Sequence, residues 1–191
     1  MRVIRHADCR PMPWKNGGGV TTEILAWPPA AGLDDFDWRI SMAQVAAGGP
    51  FSVFAGIDRT LTVLAGSMRL AAGDAPTVEL SPLSQPYAFP GDAITEASLI
   101  HGQVVDFNVM TLRGRFSHSV VKLQFSDPAE IELEEGVSLV FSVSGTTRVH
   151  SGGKSVALAA LDTLVADDGA SVLRFEPDEP VALLLVSIRG Q

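Results

Sequence analysis

Apolar residues recur along this chain in short alternating runs, separated by clusters of Gly, Pro, Asp and Ser. No stretch sustains apolar positions at i, i+3, i+4 and i+7 over three turns, so the pattern predicts strands and little helix. Strands are expected over residues 20–26, 38–45, 59–65, 67–71, 77–80, 102–112, 119–125, 131–134, 138–144, 146–150, 154–158, 163–166, 171–175 and 181–188. Pro28, Pro29, Pro50, Pro76, Pro82, Pro86 and Pro90 fall between them, where a missing N–H donor does least harm. So many short strands at this spacing point to an all-β barrel or sandwich.

A weak internal repeat sharpens that expectation. The segment "LTVLAGSMRLAAGDAPTVELSPL" (61–83) resembles "LVFSVSGTTRVHSGGKSVALAAL" (139–161), with Gly66 matching Gly145 and Gly73 matching Gly152. Leu80 aligns with Leu158 after one deletion. Each copy reads as strand, glycine turn, strand, second glycine turn, strand, a β-meander of the kind found in jelly rolls and cupins. Two copies imply two stacked small barrels. The expected division is 1–115 for an N-terminal barrel with its "WKNGGG" arm and 116–191 for a C-terminal cupin-like barrel. Exchange of segments between barrels, or one compact unit, are the alternatives.

Composition narrows the function. At 46% hydrophobic residues the chain can bury a core without disulfides or metals. A net charge of -8 argues against nucleic-acid and anionic-membrane surfaces, which need clustered Lys and Arg. Cys9 is the only cysteine, which excludes an internal disulfide and fits a reducing compartment. The start lacks an apolar leader, and the run 181–188 is too short to span a bilayer, so a cytoplasmic protein is expected.

The candidate chemistry is unusual for a barrel of this kind. His6, His101, His118 and His150 are scattered with no H-x-H or H-E-x-x-H spacing, so neither a metal nor any other cofactor is expected. His101 is the most open of them, because Asp106 and Asn108 follow on the same strand. The stretch "WKNGGGVTTEI" (14–24) is neither a phosphate loop nor a dinucleotide fingerprint. Gly17, Gly18 and Gly19 form either a tight turn where the arm enters the sheet or an anion-binding concavity beside Lys15. In "VTTEIL", alternation sets Thr21 and Glu23 on one face, and a mid-strand carboxylate needs water, a cation or a ligand. In "WRISMAQV", Arg39, Ser41, Ala43 and Val45 share a face, and Arg59 opens the next apolar strand. Guanidinium groups offer a planar fork suited to carboxylates.

Three stretches together, "PWKNGGGVTTEI", "WRISMAQVAAGGPFSVFAGIDRTLTVLAG" and "GQVVDFNVMTLRGR", resemble the HutD/Ves family across nearly the whole chain. That resemblance implies a bicupin fold, two RmlC-like jelly rolls, without an established metal. It also implies a link to bacterial histidine utilisation, or to stress induction in the Ves branch. The family's implied role is to bind an acidic small molecule such as formylglutamate or urocanate and to regulate pathway flux. Residues matching its motifs are Trp14, Lys15, Asn16, Gly17, Gly18, Gly19, Thr21 and Glu23, then Arg39, Ser41, Phe51, Ser52 and Arg59, then Asp106, Phe107, Asn108 and Met110. Lys15, Arg39 and Arg59 are the expected anion-recognising groups, with Asn16, Ser41 and Asn108 as hydrogen-bonding partners. Glu23 is the orienting partner or amine acceptor, His101 a lower-ranked addition, and Phe51 and Phe107 are expected in the core.

The expected function is therefore non-enzymatic binding of a small carboxylate metabolite in a polar cup. One alternative is a metal-independent isomerase or formyl- or formimino-amide hydrolase using Glu23 or His101 as base. The other is a stress-related protein-interaction module. An exposed β edge would also support a homodimer.

Overall fold

The computed structural model describes residues 1–15, 17–167 and 169–191. Its strands run in chain order as β1 (Arg2–Ile4), β2 (Pro11–Pro13), β3 (Gly19–Trp27), β4 (Trp38–Val45), β5 (Gly49–Pro50), β6 (Ile57–Ala72), β7 (Val78–Leu80), β8 (Tyr87–Pro90), β9 (Thr95–Leu112), β10 (Phe116–Phe125), β11 (Ala129–Glu132), β12 (Val137–Ser144), β13 (Thr147–Ser151), β14 (Lys154–Leu158), β15 (Thr163–Val165), β16 (Val172–Pro177) and β17 (Val181–Gly190). One turn of 3-10 helix, His6–Asp8, is the only helical element among the described residues. Among the described residues no helix is long and apolar enough to cross a membrane.

The chain divides into two compact units, Arg10–Ser117 and a second built from Met1–Cys9 with His118–Gln191. The first nine residues thus leave the 1–115 block expected from the sequence. The physical reason is pairing: Arg2, Val3 and Ile4 of β1 lie opposite Val165, Leu164 and Thr163 of β15. Arg5 adds an ion pair, donating from Nη1 to Asp162 Oδ2 at 2.6 Å.

The Arg10–Ser117 unit carries one large antiparallel sheet in the order β2-β3-β4-β9-β6-β7, with β5 on β9 and β8 on β6. Segments 59–65 and 67–71, expected as separate strands, form the single strand β6, whose register shifts on either side of Gly66. The short strands β2, β5 and β8 were not expected, because each contains proline. Proline is tolerated there because these strands pair at the margins of the sheet. Leu61, Val63, Met68, Leu70, Leu80, Phe89 and Val104 form this unit's main apolar core, and a smaller cluster gathers Phe36, Ile57 and Met110.

The other unit holds a five-stranded sheet, β1-β15-β12-β17-β10, and a four-stranded sheet, β11-β16-β13-β14. Its main apolar cluster runs from Val140, Val149 and Leu158 to Phe175 and Leu183. The internal repeat has a backbone counterpart. Gly66 and Gly145 both adopt left-handed φ, 76° and 80°. A Cβ on either would collide with a carbonyl of the partner strand, Gln103 O at 2.3 Å or Pro180 O at 2.6 Å. Only glycine lets two strands approach in this way. Past each glycine the same pairing follows, Met68 with Leu80 and Thr147 with Leu158.

Candidate functional site

Register alone assembles a polar row in the Arg10–Ser117 unit. Arg39 on β4 and Arg59 on β6 both lie opposite Met110 of β9, so the two arginines flank one strand. One step along, Ser41 and Leu61 lie opposite Asn108, and at the next, Ala43 and Val63 lie opposite Asp106. Residues directly opposite in an antiparallel sheet point to the same face. On β3, Glu23 and Thr21 extend the rows from Ser41 and Ala43. A break in register between Glu23 and Leu25 interrupts the simple alternation of that strand.

These side chains open into a cavity of about 540 Å³. Its wall combines Lys15, Arg39, Ser41, Arg59, Asp106 and Asn108 with an apolar side that includes Trp14, Phe51, Phe54 and Met110. The volume lies in the range of small-molecule sites, and the mixture of an apolar wall with a few convergent polar groups is characteristic of them.

Arg39, Arg59 and Asp106 are each held by a neighbour. Arg39 donates from Nε to Glu23 Oε2 at 2.7 Å and from Nη1 to Ser41 Oγ at 3.3 Å. Arg59 donates from Nε to Asn108 Oδ1 at 2.7 Å, and Asn108 in turn donates from Nδ2 to Asp106 Oδ1. The Arg59 guanidinium also lies over the Phe51 ring, 4.6 Å from its centroid, and 5.4 Å from that of Phe89. This aromatic packing supports a desolvated cation. Arg39, Arg59, Asp106 and Asn108 are exposed by 4%, 8%, 1% and 2%. Burial pushes the Asp106 carboxyl up to about 6, against the pull of Arg59 and the Asn108 hydrogen bond. Burial also lowers Arg59 to about 10, opposed by Asp106 and assisted by repulsion from Arg39.

The triple glycine is a joint in this arrangement. Gly17 takes φ 72° and donates its N–H to the Trp14 carbonyl, while the Gly19 carbonyl accepts from Trp14 N–H at 2.9 Å. The Gly18 carbonyl accepts from Ala46 and Ala47. A Cβ on Gly19 would meet Gln44 O at 2.6 Å and the Trp14 ring at 2.9 Å. The bare backbone thus seats Trp14, whose Nε1 donates to Thr21 Oγ1 at 2.7 Å, against the cavity.

Of the residues singled out in the sequence, Lys15, Thr21, Arg39, Ser41, Arg59 and Asn108 line this cavity. Glu23 joins through Arg39. Gly17, Gly18 and Gly19 are absent from its wall, and of the two arrangements expected of them the backbone bonds show the tight turn. His101 is exposed on β9 opposite Ser67, away from the cavity wall. Asn16 lies outside the described residues. Phe107 is buried as expected, and Phe51, half-buried and packed against the main apolar core, also lines the wall above Arg59. Asp106 was not ranked as a site residue, although the alternation of "DFNVM" puts it on the same face as Asn108 and Met110. Among the described residues no three His, Cys, Asp or Glu side chains cluster as metal ligands would.

A family model described as HutD matches residues 6–185. Protein Ves of Citrobacter koseri is 36% identical over 146 residues, covering 74% of each chain. An uncharacterized 21.2 kDa protein of the hutC 3′ region of Pseudomonas putida is 35% identical, covering 82% of this chain and 80% of its own. Among solved structures, a conserved protein of unknown function from Pseudomonas aeruginosa PAO1 superposes with TM-score 0.91 at 33% identity, covering 98% of this chain and 97% of that one. HutD from Pseudomonas fluorescens SBW25, solved in a formate condition, gives 0.82 at 32% identity, covering 100% and 98%. A cupin 2 conserved barrel domain protein from Leptotrichia buccalis gives 0.61 at 11% identity over 94% and 96% of the two chains, a likeness of fold that places the chain in the cupin and jelly-roll class.

Proposed function

This chain belongs to the HutD family, and we propose that it is a cytoplasmic binding protein of bacterial histidine utilisation, a bicupin that holds a small carboxylate metabolite between Arg39, Arg59 and Lys15. The observation that carries this reading is the convergence of all three cations on one cavity with an aromatic wall. Arg59 spends Nε on Asn108, and neither of its terminal nitrogens hydrogen-bonds to a described residue. Those two nitrogens form the fork that a carboxylate accepts from. Hydrogen bonds to charged groups contribute about 1.5–3 kcal/mol each. Two or three of them give micromolar to millimolar affinity once association costs are met, a range suited to sensing a metabolite.

The hut-region relative fits the same reading. A formylglutamate- or urocanate-like acid would set a carboxylate on the arginines and its remaining atoms against Phe51, Phe54 and Met110. The enzymatic alternative gains little support, because Glu23 is held by Arg39 and His101 lies outside the cavity wall. Calorimetric titration of the intact chain with formate, a small dicarboxylate and urocanate tests the proposal. Saturable heat and a raised Tm are expected. No heat and no thermal shift at about 10 mM of each acid would remove it and leave the protein-interaction reading.

A further inference from the structure

We infer that the cup takes up its carboxylate together with one proton, and that Asp106 is the group that receives it. This rests on the carboxylate reading of the cup and adds the charge balance on which that reading depends.

The cup holds its own counter-charges. Glu23 answers Arg39 directly, and Asp106 answers Arg59 through Asn108. A carboxylate accepting from the terminal nitrogens of Arg59 introduces a second anion beside the same guanidinium, within a desolvated wall. Two carboxylates sharing one site cannot both stay ionised cheaply, and the more buried one takes the proton. Glu23 keeps contact with water, its side chain being 35% exposed, whereas Asp106 is sealed at the floor.

The surroundings of Asp106 leave no competing acceptor in the wall. From β6 it faces Arg59 and apolar Val63, and from β4 it faces Ala43, with Ser41 and Arg39 beyond. From β3 come Thr21 and Glu23, and from the arm Trp14 and Lys15. No histidine is among the lining residues. Glutamate, lysine and arginine ordinarily titrate outside pH 6–8.

Burial has already brought the Asp106 carboxyl to about 6, and an added negative charge moves it further in the same direction. At pH 7 the free cup therefore holds an ionised Asp106 and the occupied cup a neutral one. Protonated Asp106 ceases to repel the bound anion and can donate an O–H to it. By linkage, affinity strengthens as pH falls from 8 towards 6 and levels off below, where the free cup is already protonated. A ligand that instead offers Asp106 an N–H or ammonium group would bind without this uptake, so the proton also sorts ligands by class.

The test is titration of the whole chain with formate at pH 7 in phosphate and in Tris, whose different ionisation enthalpies report protons exchanged per anion bound. About one proton should be taken up, and Kd should weaken about tenfold or more from pH 6 to pH 8. Asp106→Asn should bind formate with no proton uptake and no pH dependence over that range. Uptake persisting in Asp106→Asn overturns the inference, as does binding to the wild type without uptake. If Asp106→Asn does not fold, the wild-type pH profile decides alone, and a flat profile is fatal. Complete absence of formate heat at every pH is a different result, which removes the carboxylate reading itself and this inference with it.

Discussion

The two units use the same strand pairings but fill them differently. With Gly66 matched to Gly145 and Val104 to Val181, the pair Val63–Asp106 corresponds to Ser142–Leu183, and Leu61–Asn108 corresponds to Val140–Leu185. Arg59 opposite Met110 corresponds to Ser138 opposite Ser187. Where one unit buries an arginine, an asparagine and an aspartate, the other buries serine and Leu183 and half-buries Leu185. The leucine version closes into a continuous apolar core, whereas the charged version leaves a cavity between two apolar clusters. Buried charges are poor contributors to stability compared with apolar residues of similar size. Their concentration in one copy of a shared scaffold marks the candidate site.

The largest effects should come from exchanging these fillings. Leu183→Asp writes the Asp106 charge into the unit that has no guanidinium at the position matching Arg59. It should destabilise the chain by about 3–5 kcal/mol, seen as a sharply lowered denaturation midpoint, because an unpaired carboxylate would sit among Val140, Leu173 and Phe175. Normal stability in that variant would mean that the two positions are not equivalent. Next comes Arg59→Ala, which removes the free fork and should weaken binding of a small dicarboxylate about 100-fold or more with the fold intact by circular dichroism. Retained affinity would take Arg59 out of the site.

A smaller effect, of opposite sign, is expected from Asp106→Asn. The Asp106 carboxyl rises in the folded chain to about 6 from an ordinary 3.8, so the native state holds this proton more tightly than the unfolded state. Its contribution to stability is therefore greatest below the unfolded value and is lost as pH rises through the interval to 6. The neutral isostere keeps an acceptor for Asn108 and avoids that loss. It should stabilise the chain by about 2–3 kcal/mol at pH 8 and by little at pH 4, measured by denaturant melts at both. An equal change at both pH values would show that burial of the charge is not its origin.

Much of the scaffold could be read from the chain because its signals are local. Alternation in "WRISMAQV" exposed the face shared by Arg39, Ser41 and Ala43, and the spacing of Gly66 and Gly145 exposed the repeated turn. What stayed hidden depends on pairing between distant segments. Strand β1 joins the later unit through its register with β15 and the packing of Val3 on that unit's core. Phe51 looked like core alone because nothing local reveals that Arg59 lies beneath it. The role of Gly19 follows from the approach of Gln44 and Trp14, neither of which it neighbours in sequence. Asp106 is the instructive miss. Its alternation with Asn108 was visible, but its importance arises from burial beside a guanidinium on another strand.

The gentlest change tests which partner governs Arg39. Glu23 is partly exposed, so its attraction to Arg39 and its repulsion of an incoming anion are both screened by water. Glu23→Gln retains an oxygen that can accept from Arg39 Nε and removes only the charge. Carboxylate affinity should rise about two- to fivefold, a gain of the size expected for an exposed ion pair. The gain should shrink when salt is raised from about 50 to about 200 mM, since screening already mutes the lost repulsion. Both are readable in one calorimetric series. Affinity that falls instead would mean that Glu23 touches the ligand as an acceptor for its N–H groups. Turnover of a bound acid, abolished in Glu23→Gln while binding persisted, would make this glutamate a base and the cup an enzyme's active site.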